Sequence, residues 1–262
     1  MKEIFKLWEN APGVIEGEEI PSMTYYPSES KSCAAAVVIF PGGGYSRRAD
    51  HEGRGYAEYL NANGIDAFVV DYRVSPYRFP YPLLDARRAV RFVRANADRF
   101  AIDPSKIAVM GSSAGGHLAA LVSTYTAPID GEGYDELDLV DFRPNAQILC
   151  YPVIDKFGHP GSYNNLLGER VAELCSLVNP ALIADKSTPP AFIWHTAEDN
   201  AVDVCNTYRY ATRLKEFSVP CEMHIFPFGH HGLGLAPAPQ HRHLQQWASL
   251  MIKWLSLMGF CN

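Results

Sequence analysis

The chain has 262 residues, 47% of them hydrophobic and 20% charged, and a net charge of −6. That length supports one α/β domain with a large core, and the composition excludes a disordered chain. The negative charge argues against nucleic acid or an anionic membrane as partner, and no apolar run reaches the length of a membrane span.

Met1 to Trp8 mixes charges with its apolar residues and lacks the uninterrupted core of a signal peptide, so a cytoplasmic protein is expected. Six scattered cysteines form no C-x-x-C pair, and free thiols are the expectation. Residues 1 to 27 read as an antiparallel opening, with Ile4 to Trp8, a Pro-Gly turn and Met23 to Tyr26. Ala34 to Phe40 is a continuous apolar run of strand length, which suits a strand buried on both faces. It ends in Pro41-Gly42-Gly43-Gly44-Tyr45. Tyr56 to Asn63 predicts a short helix, and Ile65 to Val70 the next buried strand.

From Leu83 to Phe100, residues Leu83, Ala86, Val90, Val93 and Ala97 keep a helical period, with arginines on much of the other face. Ile107 to Met110 is again a strand, leading through small residues into a helix rich in Ala and Leu. Ala146 to Tyr151 predicts a strand, followed by an irregular stretch from Asp155 to Pro190 with one short helix around Arg170 to Leu177. So long a connection is expected to be a lid or a substrate loop. Ala191 to His195 and Glu222 to Phe226 are the last strands; Val204 to Phe217 and Leu244 to Met258 are the last helices. Strands alternating with helices indicate a mostly parallel sheet covered on both faces, in a single domain over 1–262. In such sheets ligands bind beyond the carboxyl ends of the strands.

The chemistry-bearing residues fall at those ends. Gly111, Ser113 and Gly115 fit G-x-S-x-G, which places a serine on a sharp strand-to-helix turn. Ser113 is the candidate nucleophile, and the Ala114 N–H at the helix start is one candidate oxyanion donor. The alternative for this cluster is a plain helix cap. A serine needs a base oriented by a third group. His231, followed by glycine on the loop after the last strand, suits the base, with its neighbour His230 as the alternative. The competing reading pairs these histidines with His241 and His243 in a metal half-site, but no acidic or thiolate ligand completes it. Asp199 is the candidate orienting carboxylate, set against Glu198 beside it, Asp203 nearby and helix capping as a bland role. The Pro41–Gly44 loop is placed to supply further oxyanion donors, and it lacks the G-K-[ST] ending of a phosphate loop. Tyr45 is assigned to the substrate pocket, with packing as the alternative. His117, Tyr72, Arg73 and Asp85 are assigned structural roles, and Tyr77 to Tyr81 reads as a proline-stiffened loop or an aromatic platform.

Taken together, these segments resemble the α/β-hydrolase superfamily over nearly the whole chain. Within it the chain is similar to the esterase group that includes acetyl-xylan esterases and related carbohydrate esterases. Four segments carry the likeness: Phe40 to Tyr45, Gly111 to Ala119, Pro189 to Asp199 and Gly229 to Leu235. The resemblance implies a Ser113–His231–Asp199 triad with N–H donors from Gly43, Gly44 and Ala114. Lipase-like relatives and kynurenine formamidases usually carry histidine where Pro41 stands, so the oxyanion loop here must be braced differently.

The expected function is hydrolysis of short acyl esters, acetyl above all, on xylo-oligosaccharides or similar carbohydrates, with no metal or organic cofactor. The rival readings are a general carboxylesterase or arylformamidase on the same triad, and a non-catalytic binding protein on a hydrolase scaffold. The expected partner is a small ester or an acetylated oligosaccharide, and the sequence is compatible with a homo-oligomer.

Overall fold

The computed structural model describes residues 2–15, 17, 20–130, 132 and 135–261. Its strands are β1 (Glu3–Lys6), β2 (Ser22–Tyr26), β3 (Ala36–Phe40), β4 (Asp66–Asp71), β5 (Ile107–Ser112), β6 (Ala146–Cys150), β7 (Ala191–Thr196) and β8 (Cys221–Phe226). The helices are α1 (Asp50–Ala62), α2 (Tyr81–Ala95), α3 (Ser113–Thr124), α4 (Pro160–Leu167), α5 (Val171–Leu174), α6 (Pro180–Ile183), α7 (Cys205–Glu216) and α8 (Gln246–Leu257). The strands form one sheet in the order β1-β2-β4-β3-β5-β6-β7-β8. From β4 across to β8 all neighbours are parallel, while β1 and β2 form the expected antiparallel edge.

Alternation along each strand divides the core in two. Val38 and Phe40 face one way, into a cluster with Leu84 and Val90 of α2 and Leu118 of α3. Val37 and Ile39 face the other way, against Tyr56 and Leu60 of α1 and Trp247 and Met251 of α8. Helices therefore cover both faces, which is why the parallel strands read as unbroken apolar runs. Among the described residues, no helix is long and apolar enough to cross a membrane.

Three elements differ from expectation. Helix α1 begins at Asp50, not at Tyr56, because the polar stretch before Tyr56 buries its Glu52 rather than looping in solvent. Besides α5, which lies within the one short helix expected, the insert after β6 holds α4 and α6, with Pro160 and Pro180 in their first turns. Pro160-Gly161 reads as a turn in sequence, although proline suits the first helical position.

The arginine face of α2 is also buried instead of solvated. Arg87, Arg88 and Arg91 lie beneath the segment after α3, where Glu132, Asp135 and Asp138 meet them at 2.5–3.3 Å. The acidic run that covers the helix lies some 45 residues downstream in sequence, so local periodicity carries no trace of it.

A second buried pair anchors the start of α2 to the end of β4. The Arg73 guanidinium donates to Asp85 twice, at 2.7 and 2.9 Å, and the Arg73 backbone N–H and Trp8 Nε1 donate to the same carboxylate at 2.9 and 3.1 Å. Both side chains are almost wholly buried, so the structural role expected for them is the observed one. Arg73→Met is expected to cost about 3–5 kcal/mol in urea unfolding, because it strands the buried carboxylate. Arg73→Met with Asp85→Leu should recover most of that loss; a double variant as unstable as the single would show that packing, not charge, dominates.

Candidate active site

Five segments reach the site, leaving the carboxyl ends of β3, β5, β6, β7 and β8. Ser113 follows β5 at φ 54°, a backbone region that costs a non-glycine residue about 1–3 kcal/mol. The turn is tight enough that a methyl group on Gly111 would lie 2.1 Å from the Gly115 carbonyl oxygen. Only glycine fits there. Ser113 opens α3, and the next N–H, that of Ala114, lies in the first turn, which lacks helical acceptors.

The loop after β8 brings His231 Nε2 to 2.8 Å from Ser113 Oγ. Its Nδ1 lies 2.6 Å from Asp199 Oδ2, on the loop after β7. His230, the alternative base, is exposed; its Nδ1 donates to the His231 carbonyl at 2.8 Å and its ring faces His241. The rival acids are occupied elsewhere. Glu198 accepts from the Gly229 N–H at 3.3 Å, and Asp203 accepts from the Cys205 N–H at the start of α7.

Asp199 is held from every side. Its Oδ1 accepts from the N–H groups of Ala201 and Val202, both at 2.9 Å, and its Oδ2 from His231 and from His195 Nε2 at 3.2 Å. Burial alone would raise this carboxyl, but the hydrogen bonds from His195 and His231 outweigh it and hold the group well below the usual carboxylate range. An ionised Asp199 therefore fixes His231 with its proton on Nδ1, which leaves Nε2 free to accept from the serine hydroxyl. Sequence reasoning gave His195 no role. Its spacing of four from Asp199 is a usable signal only once the strand is known to end between them.

On the other side of Ser113 runs the glycine loop after β3. Gly43 has φ 130°, and a side chain there would strike the Arg47 carbonyl oxygen at 2.2 Å. In place of the histidine common at Pro41, two side chains brace this loop. Glu52, buried on α1, accepts from the Gly42 N–H at 2.9 Å and from Tyr151 O–H at 2.7 Å. Tyr151 in turn accepts from the Gly234 N–H at 2.9 Å, so one carboxylate links the glycine loop to the histidine loop. From the insert, Asn165 Nδ2 donates to the Gly44 carbonyl at 2.9 Å.

Gly43, Gly44, Ser113 and His231 line a cleft of about 490 Å³, with Arg47, Glu52, His159 and Asn165 among its other walls. A larger cavity of about 840 Å³ lies between the insert and α7, bordered by Asp155, Tyr208 and Arg213, and no triad residue touches it. Tyr45 lies outside the cleft lining. Its side chain is buried and its hydroxyl pairs with His117 Nδ1 at 2.7 Å, so packing, rather than the pocket, is where the structure puts it. Tyr77 and Tyr81 stack against Arg73 and form no platform.

Comparison with known proteins follows the same lines. The BD-FAE family model matches residues 24–214. Endo-1,4-beta-xylanase B of Butyrivibrio fibrisolvens is 35% identical over 225 residues, covering 83% of this chain and 35% of that protein. Acetylxylan esterase of Xylanibacter ruminicola is 34% identical over 213 residues, covering 76% of this chain and 41% of that protein. The chain thus spans well under half the length of these two relatives. Among solved structures, an acetyl ester-xyloside bifunctional hydrolase from Caldicellulosiruptor lactoaceticus matches with a TM-score of 0.93 and 42% identity, over 99% of this chain and 97% of that one.

His117, one turn into α3, links the elbow to the insert, since its Nε2 lies 2.8 Å from the Val178 carbonyl. Burial pushes its imidazole down from 6.5 to about 4, with the Val178 contact opposing weakly. The unfolded chain therefore takes up a proton on this ring at a higher pH than the folded protein does. Stability from this group is complete above about pH 6.5 and falls as pH drops toward 4, by on the order of 3 kcal/mol at about 1.36 kcal/mol per unit. Urea midpoints of the wild type are expected to drop more steeply through this window than those of His117→Gln. Parallel slopes would locate the acid sensitivity elsewhere.

Proposed function

The chain belongs to the BD-FAE family and has the α/β-hydrolase fold, and on that premise we propose that it is a serine esterase removing acetyl groups from xylo-oligosaccharides or a similar carbohydrate. One observation carries the chemistry: the continuous line from Ser113 Oγ through His231 to the ionised Asp199. The carbohydrate half of the reading is supported by the acetylxylan esterase and acetyl ester-xyloside hydrolase likenesses.

In this reading Ser113 Oγ attacks the ester carbonyl while His231 Nε2 takes its proton. Asp199 stabilises the imidazolium that forms, and the Ala114, Gly43 and Gly44 N–H groups receive the oxyanion. Protonated His231 then hands its proton to the departing sugar oxygen. Water, activated by the same imidazole, attacks the acetyl–serine ester, and acetate leaves with Ser113 restored. The glycines matter because they let backbone N–H groups approach an oxygen without a side chain intervening.

Acetate release from acetylated xylo-oligosaccharides tests the proposal directly. Wild type should release acetate, Ser113→Ala should lose about 10⁵–10⁶-fold in kcat while staying folded, and Asp199→Asn should lose about 10⁴-fold. Undiminished turnover by Ser113→Ala sinks the mechanism. On nitrophenyl esters of increasing acyl length, kcat/KM should be highest for acetate; a preference for long chains would favour a general carboxylesterase.

A further inference from the structure

The insert contributes two cleft residues whose polar atoms are oriented by neighbours that leave no choice. His159 Nδ1 lies 3.0 Å from the Ser162 backbone N–H and 2.9 Å from Ser162 Oγ. A backbone N–H only donates, so Nδ1 must carry the lone pair and the ring proton must sit on Nε2. Burial and the nearby His231 both hold the ring below its ordinary range, which keeps it in this neutral form. Among the described residues Nε2–H has no acceptor.

Asn165 shows the complementary pattern. Its amide group faces the Gly44 carbonyl oxygen, which only accepts, so the nitrogen is Nδ2 and the carbonyl Oδ1 is the free end. Both residues wall the cleft that holds Ser113 and His231. The cleft therefore offers one donor and one acceptor, both without a partner among the described residues, on the insert beside Ser113 and His231.

A hydroxyl is the group that satisfies both, since it accepts and donates at one oxygen. We infer that the insert reads a hydroxyl on the alcohol half of the ester, next to the acylated oxygen, with His159 Nε2–H donating to it and Asn165 Oδ1 accepting from it. The departing oxygen itself is served by His231, so its neighbour on the sugar ring is the atom left for these two groups. This rests on the esterase reading and adds to it a substrate class: esters of vicinal diols, as in a partly acetylated pentose.

Two substrates test it: a methyl xyloside with one acetyl ester beside a free hydroxyl, and the analogue in which that hydroxyl is hydrogen. Wild type should favour the first by roughly 10- to 100-fold in kcat/KM, the cost of losing two hydrogen bonds to the half-buried wall of the cleft. His159→Asn keeps an acceptor for the Ser162 N–H but is too short to reach the substrate, and its preference should shrink to within about threefold. Equal rates on both substrates with wild type, or an undiminished preference in His159→Asn, overturn the inference while leaving the esterase reading intact. Hydrolysis of nitrophenyl acetate with no action on either xyloside would overturn the carbohydrate reading and this inference with it.

Discussion

The backbone at Ser113 is the constraint from which the rest of the site follows. A serine held at positive φ between a buried strand and a buried helix cannot relax without moving both, and both are packed on every side. The strain is tolerable because β5 lies in the middle of the sheet, with β3 on one side and β6 on the other. Those neighbours decide what else meets the serine. The loop after β3 brings Gly43 and Gly44 to one flank, and the loops after β7 and β8 bring Asp199 and His231 to the other.

The second physical theme is the buried carboxylate that ties loops together. Asp199 takes four hydrogen bonds, two from backbone and two from imidazoles, which is what lets a fully buried side chain remain ionised. Glu52 does related work on the far side of Ser113, where Gly42 and Tyr151 converge on it. Tyr151 also packs edge-on against the His231 ring, at 5.0 Å between centroids. The His231 ring is thus fixed by Asp199 at one nitrogen and by an aromatic edge at its flank.

The insert joins this scheme rather than standing apart from it. Arg78 donates to the Asn164 and Asn165 carbonyls, and Asn165 holds the glycine loop, so the loop after β4 positions α4 and α4 positions Gly44. His117 ties α3 to the same insert through Val178. The cleft wall built this way is tied both to the glycine loop and to α3.

Local sequence was enough for the strands and most helices, because strands buried on both faces and a G-x-S-x-G turn each leave a pattern within a few residues. It was enough also to nominate Ser113, His231 and Asp199, since each stands just past the end of an apolar run. Only the tertiary structure set His231 rather than His230 against Ser113, moved Tyr45 from the pocket into the core, buried the α2 arginines and brought Glu52, His159, Asn165 and His195 to the site. Those outcomes depend on which side chain meets which across long separations, as with Asn165 and Gly44, 121 positions apart. Hydrogen-bond partners at that distance leave no periodicity or spacing for the sequence to carry. They come into being only when the sheet sets its strand order.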